Sequence, residues 1–413
     1  MNLRNQMIYQ VYLRNHTPEG TFKSMIEDLD RIKALGTDIV HFLPIYPIGE
    51  KKRKGTLGSP YSISDYKGVN PEHGTIGDFR HLVETMHQKE LKVMIDIVFN
   101  HTSHDSGLIE KFPNSYHRDE NGEVAPKVED WWDIADLHFN DELLEEELID
   151  TLLYWVEVGV DGFRCDVASM VPLSFWRKAE AAVREKKPEV IWFAETVDPW
   201  YASNMKELGA VYETDAAMYD VFDMQYSYDI WHLQREHMLG QRSLRDFVEG
   251  LRLEEFYLPL YYNKVRFLEN HDQDRFMSYG LNPEMYTAMM FFLKGTALIY
   301  GGQEFLSSKR PSLFDKDTID RTEGDISSLI SVLASIKKDP IFAEGHYRVE
   351  VIEDCMISSY KKGNRTLHGI FNTLGQRITI DLPDGEYENL IDGKIVRISE
   401  KIIDWDFPVI FEA

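Results

Sequence analysis

The chain carries only two cysteines, Cys165 and Cys355, in 413 residues. That is too few for a disulfide framework or a thiolate zinc site. Positive charge is also scarce: 45 Lys and Arg stand against 70 Asp and Glu, for a formal charge of -25. Such a surface repels phosphate backbones and anionic lipid, so neither nucleic acid nor a membrane is expected as a partner. No apolar run approaches the roughly 20 residues of a spanning helix. The first ten residues lack the continuous apolar core of a signal peptide, so a reduced, cytoplasmic setting is the default expectation. No Gly-rich phosphate fingerprint follows an early strand, which disfavours a doubly wound nucleotide-binding sheet.

What is present is an alternation of strand and helix signals. Apolar strands are expected over residues 7–13, 38–46, 92–99, 160–167, 190–194, 219–224, 264–268 and 297–300. Between most of them lie stretches with helical spacing, such as Phe22, Met25, Ile26, Leu29, Ile32 and Leu35, closed by Gly36. Eight strands separated largely by helices predict an α/β protein with a (β/α)8 TIM barrel. Residues 101–140 break the rhythm with turns, charges and Trp131-Trp132, and are too long for an ordinary connection. They read as a short subdomain inserted after strand three, with the barrel over 1–100 and 141–340. Residues 341–413 switch to short alternating runs such as Arg377-Ile378-Thr379-Ile380-Asp381-Leu382, with turns at Asp384-Gly385 and Asp392-Gly393. This pattern predicts a C-terminal antiparallel β-sandwich domain. The basic run Lys51-Lys52-Arg53-Lys54 reads as a solvated loop.

The chain is organised around Val160-Asp161-Gly162-Phe163-Arg164-Cys165-Asp166-Val167-Ala168. On a strand, alternation points Arg164 and Asp166 to one face, and an adjacent cation keeps a carboxylate ionised. Taken alone, a structural ion pair accounts for the two more readily than a nucleophile does. The other strand ends change that balance. Strand three ends Asp96-Ile97-Val98-Phe99-Asn100-His101, strand five Phe193-Ala194-Glu195, and strand seven Glu269-Asn270-His271-Asp272. Barrels gather their chemistry at the C-terminal strand ends. Three carboxylates and two histidines would therefore converge on one mouth.

These four stretches, in this order and spacing, resemble the signatures of the α-amylase family of glycoside hydrolases, and the resemblance covers essentially the whole chain. It implies that Asp166 is the nucleophile, Glu195 the general acid/base and Asp272 the third carboxylate. Arg164 resembles the residue that orients the nucleophile. His101 and His271 resemble the histidines that hold the sugar at the cleaved position, and Tyr61 the aromatic platform beneath it. Asp96 reads as a structural hydrogen-bonding residue. Trp131 and Trp132 fit a sugar-binding wall and subdomain packing equally well. Cleaving an acetal through an oxocarbenium-like state needs a proton for the leaving oxygen and negative charge near the anomeric carbon. A protonated Glu195 and an ionised Asp166 supply these two.

The chain also departs from the family pattern. Ser169-Met170 stand where many members have a Lys-His pair that contributes a substrate contact and a calcium-binding carbonyl. Calcium therefore finds no clear ligand set. Asn100 with Asp130 or Asp136 is the nearest to one, and no cofactor is expected. The expected partner is an α-glucan oligosaccharide, and the expected reaction is retaining hydrolysis of α-1,4 bonds in maltooligosaccharides or starch fragments. The rivals are α-1,6 cleavage, glycosyl transfer on the same scaffold, and a non-catalytic carbohydrate-binding protein. The last conflicts with the presence of all three carboxylates.

Overall fold

The structure is a computed structural model that describes residues 2–207 and 211–413. Eight parallel strands close into a barrel: β1 (Met7–Val11), β2 (Ile39–Phe42), β3 (Lys92–Ile97), β4 (Gly162–Cys165), β5 (Ile191–Ala194), β6 (Met224–Tyr226), β7 (Lys264–Arg266) and β8 (Thr296–Tyr300). Each pairs with its sequence neighbours, and β8 pairs with β1. Every strand is buried along nearly its whole length, because helices cover the outside and side chains fill the inside. The expected (β/α)8 fold is therefore the one observed.

The helices lie where apolar periodicity and caps place them. α1 (Phe22–Ala34) begins at Thr21, whose hydroxyl accepts from the Ser24 amide, and buries Phe22, Met25, Leu29 and Ile32. α2 (Ile76–Gln88) opens with the same kind of box between Thr75 and Asp78. α3 (Glu142–Val158) stops at Gly159, whose φ of 115° suits a residue without Cβ. α4 (Leu173–Lys186) then leads into β5.

One strand lies elsewhere than its sequence suggests. The sixth is Met224–Tyr226, not residues 219–224. Residues 215–218 form a helical turn capped by the Thr214 hydroxyl. Asp223 starts the strand, with its amide on the Trp192 carbonyl and its carboxylate accepting from the Trp192 amide. Apolar residues at 218, 221 and 222 belong to the packing of that turn, so their hydrophobicity marks burial and not extension.

The segment after β3 holds a two-stranded antiparallel sheet, His101–Ser103 against Ile134–Asp136, and a 3-10 turn at Glu129–Trp131. Beyond the barrel, His346–Ile352, Cys355–Lys362, Arg365–Asn372 and Val409–Glu412 form a four-stranded antiparallel sheet. Phe292 of the barrel helix Pro283–Phe292 packs against Phe342, Tyr360 and Phe371 and joins the two parts. No helix among the described residues is long and apolar enough to cross a membrane.

Candidate active site

The site begins with strand register. Asp96 on β3 lies beside Arg164 on β4, and both side chains enter the barrel. Two residues on, β4 ends, and Asp166 emerges at the mouth with its amide bonded to the Ile97 carbonyl. The Glu195 amide bonds to the Cys165 carbonyl, which places Glu195 alongside Asp166 at the end of β5. Backbone pairing alone thus sets two carboxylates side by side.

Arg164 is wholly buried and sits between three acids. Its Nη1 donates to Asp166 Oδ1 at 2.8 Å and to Asp96 Oδ2 at 3.1 Å, while Nη2 lies 2.7 Å from Glu195 Oε1. The other oxygen of Glu195, Oε2, accepts from the Val167 amide at 2.9 Å. Asp96 is fully buried and also accepts from His41 (2.7 Å) and the Tyr61 hydroxyl (2.9 Å). It therefore anchors the barrel's interior and does not line the cleft.

The charges divide by environment. Burial pushes Asp96 up, but Arg164 and His41 outweigh it and hold it below the usual carboxylate range. Burial dominates at the other two acids. Asp166 is pushed up to about 7, with Arg164 lowering it and Asp96 raising it. Burial and the charge of Asp166 carry Glu195 well above its ordinary value. The simple expectation that Arg164 keeps Asp166 ionised is thus corrected: one guanidinium serves three acids, and desolvation prevails. Both members of the adjacent pair are thus raised, and their titrations are linked.

A cleft of about 450 Å³ opens above this pair, lined among others by Tyr61, His101, Trp131, His271 and Asp272. Asp272 is the most open of the acids, at 39% side-chain exposure, and lies 3.1 Å from His271 Nε2. The Tyr61 and His271 rings are stacked, with centroids 5.6 Å apart and an 18° interplanar angle, and form a flat floor. Burial lowers the pKa of both histidines, that of His271 to about 4, so each presents a neutral imidazole. All seven residues expected in the site, Tyr61, His101, Arg164, Asp166, Glu195, His271 and Asp272, gather at one mouth. Six line the cleft, and Arg164 lies beneath it.

Other lining residues come from outside the four strand-end motifs. Trp131 lines the cleft and stacks on Tyr201 at 5.8 Å, whereas Trp132 lies outside it, half exposed beneath Lys54. Lys54, from the basic loop expected to be solvated, is instead in the cleft wall and pairs with Asp133 at 2.7 Å. Val197, Gln273, Leu313 and Phe314 from loops, and Tyr228 and Trp231 from the helix Tyr228–Met238, add to the lining.

Of the nearest candidate calcium ligands, Asn100 and Asp136 are bonded to each other. Asn100 Nδ2 donates to Asp136 Oδ1 at 2.8 Å, and the second oxygen of Asp136 accepts from the Lys127 amide. Among the described residues no three His, Cys, Asp or Glu side chains come together as metal ligands.

Comparison with known proteins agrees with this geometry. Residues 7–133 and 129–341 match the family described as alpha amylase, catalytic domain, and residues 346–411 match the bacterial alpha amylase C-terminal domain. An alpha-amylase structure from Lactobacillus plantarum is 39% identical, with a TM-score of 0.96 over 100% of this chain and 99% of its own. A noncanonic maltogenic alpha-amylase of Thermotoga neapolitana is 33% identical, with a TM-score of 0.88 over 100% and 99%. An alpha-amylase of Haloarcula japonica is 26% identical over 81% of this chain, which spans 49% of that relative's length.

Proposed function

Since this chain belongs to the α-amylase family of glycoside hydrolases, we propose that it is a retaining glycosidase that cleaves α-1,4-glucosidic bonds in maltooligosaccharides or starch-derived glucans. The observation that carries this reading is the single guanidinium of Arg164 shared by Asp166 and Glu195. Two carboxyls held by one fork flank one small volume, as double displacement requires.

The roles follow from the environments. Glu195, whose carboxyl burial and the charge of Asp166 hold well above its ordinary range, donates its proton to the glycosidic oxygen as the bond to the anomeric carbon breaks. Asp166, paired with Arg164 Nη1, attacks that carbon from the opposite face and forms a covalent glycosyl ester. Glu195, now a carboxylate, takes a proton from water. The hydroxide oxygen bonds to the anomeric carbon and the ester bond breaks. The sugar leaves with its original α configuration, and both residues return to their starting states. Arg164 stabilises the charge that passes between the two acids. In this reading Tyr61 and His271 offer a stacking surface, and His101 and Asp272, both in the cleft lining, bond the sugar's hydroxyls and stabilise charge that develops on the ring.

A sugar hydroxyl can replace water in the second half, which gives transfer in place of hydrolysis. The test is reducing-sugar release from maltotetraose, with products followed by proton NMR and with isomaltose and pullulan as linkage controls. Release of α-anomeric products that is lost in Asp166→Asn is expected. A β-anomeric first product would overturn the retaining mechanism, and no release would overturn the activity.

A further inference from the structure

Part of the cleft wall comes from three loops tied to one another. The loop 49–58 after β2 and the loop 309–317 after β8 are joined by the Leu57 amide on the Phe314 carbonyl (3.0 Å). The Thr56 amide and hydroxyl both donate to Asp315 Oδ1, at 2.9 and 2.6 Å. Underneath, Nη1 of the fully buried Arg14 donates to the carbonyls of Gly58 (3.0 Å) and Leu313 (3.1 Å), and Glu72 clamps its Nε. The Tyr12 hydroxyl also donates to the Leu313 carbonyl. Gly55, at φ 61°, lies so close that a Cβ there would fall 2.6 Å from Phe314 Cβ. The third loop joins through Lys54, which bonds the Asp130 carbonyl (2.9 Å) and pairs with Asp133 (2.7 Å). Side chains whose backbones are held this many ways stay in place when a ligand arrives.

The position of this wall decides its meaning. Glu195 must face the leaving group, and Val167 and Val197 stand beside it in the cleft. The wall lies on the other side: Arg310, from the same loop as Phe314, donates to the His271 carbonyl at 3.2 Å. His271 and Tyr61 floor the sugar that receives the nucleophile. Leu313, Phe314 and Lys54 therefore stand beyond that sugar in the non-reducing direction, where a longer chain would have to continue.

The geometry points to chain-end action: the enzyme removes a short unit from the non-reducing end, with Phe314 and Leu313 as an apolar stop and the Lys54–Asp133 pair reading the terminal hydroxyls. This inference rests on the glycosidase reading above and adds the end from which the glucan is read. Charged donor and acceptor side by side suit a sugar terminus, which offers a free 4-hydroxyl that an interior residue has already spent in its linkage.

The test compares maltoheptaose with maltoheptaose whose two outermost non-reducing hydroxyls are joined in a cyclic acetal. Chain-end action predicts a single short product early in the time course, and kcat/KM on the blocked sugar lower by about 100-fold or more. Equal rates on the two, or an immediate spread of product lengths, would overturn it. No cleavage of either substrate would overturn the glycosidase reading and the inference together. The double variant Lys54→Ala/Phe314→Ala should raise the blocked-to-unblocked rate ratio by about tenfold. An unchanged ratio would remove these two residues from the stop.

Discussion

Arg164 holds Glu195 as closely as it holds Asp166, with contacts of 2.7 and 2.8 Å from the two ends of one guanidinium. The proton donor and the attacking oxygen are therefore fixed relative to each other by a third group that need not touch the sugar. Asp96, at 3.1 Å, draws on the same cation and is tied in turn to His41 and Tyr61. The chemistry at the mouth thus rests on a buried polar network whose charge balance is short of one cation.

Removing that cation should be severe. Arg164→Met leaves three acids buried around an apolar side chain, and breaking a buried pair in this way costs about 3–5 kcal/mol. The penalty should shrink at lower pH, because protonation relieves the carboxylates. Urea denaturation at pH 8 and pH 5 checks this. A loss of stability as large at pH 5 as at pH 8 would mean that packing, not charge, is what Arg164 supplies.

The raised pKa values give activity a defined pH dependence. The reactive form needs Asp166 ionised and Glu195 protonated, so kcat/KM should be bell-shaped in pH, rising as Asp166 ionises and falling as Glu195 loses its proton, with both limbs shifted up from the ordinary carboxylate range. The two limbs belong to the coupled pair and not to either residue alone. Stability runs the other way. Because the folded state holds the Asp166 proton more tightly than the unfolded chain does, ionisation of Asp166 opposes folding. That cost is complete above about 7 and disappears toward the ordinary carboxylate range. Asp166→Asn should therefore cut kcat by at least about a thousandfold and yet raise stability by on the order of 1–2 kcal/mol at pH 8. A melting temperature unchanged or lowered at pH 8 would contradict this.

Much of this site was legible from strand alternation and strand ends. Arg164 and Asp166 had to share a face, and Asp96, Glu195 and Asp272 had to meet them once eight strands closed. The ionisation of Asp166 was not legible, because sequence shows the neighbouring cation but not the burial or the two other acids that compete for it. Lys54 was hidden by its surroundings: Lys51 and Lys52 beside it are exposed, and only the contacts to Asp130 and Asp133 turn its side chain inward. Phe314 comes from a loop whose course depends on Arg14 and Thr56, far away in the chain. Loops fixed by such long-range bonds carry no local periodicity to read. The sixth strand was misplaced because apolar residues in a buried turn look like those in a strand.

Chelation should leave the fold intact. Asn100 Nδ2 donates to Asp136, which also accepts from the Lys127 amide, so hydrogen bonds join the barrel and the inserted segment there. Excess EDTA should shift Tm by less than about 1 °C, since a bound ion that stabilises only the folded state would contribute several kcal/mol when saturated. Asn100→Ala should lower Tm equally with and without calcium. A calcium-dependent rise in Tm for the native chain would contradict this account.

Val167 follows the nucleophile with φ 36° and ψ 42°, a left-handed conformation that a β-branched residue rarely adopts. The same twist aims the Val167 amide at Glu195 Oε2. Backbone strain here sets the orientation of the acid, and the surrounding bonds hold it in place. Replacement by alanine keeps a Cβ and hence the strain, while replacement by glycine relieves it. Both remove the same apolar contacts with the cluster of Met170 and Val197. Val167→Gly should therefore be more stable than Val167→Ala by about 1 kcal/mol, the reverse of the order expected in regular structure. Glycine should also loosen the amide's hold on Glu195, so its kcat should fall below that of the alanine variant despite the higher Tm. Paired thermal melts and initial rates on the two variants decide the matter, and an alanine variant that is both more stable and less active would show that no strain is held at this position.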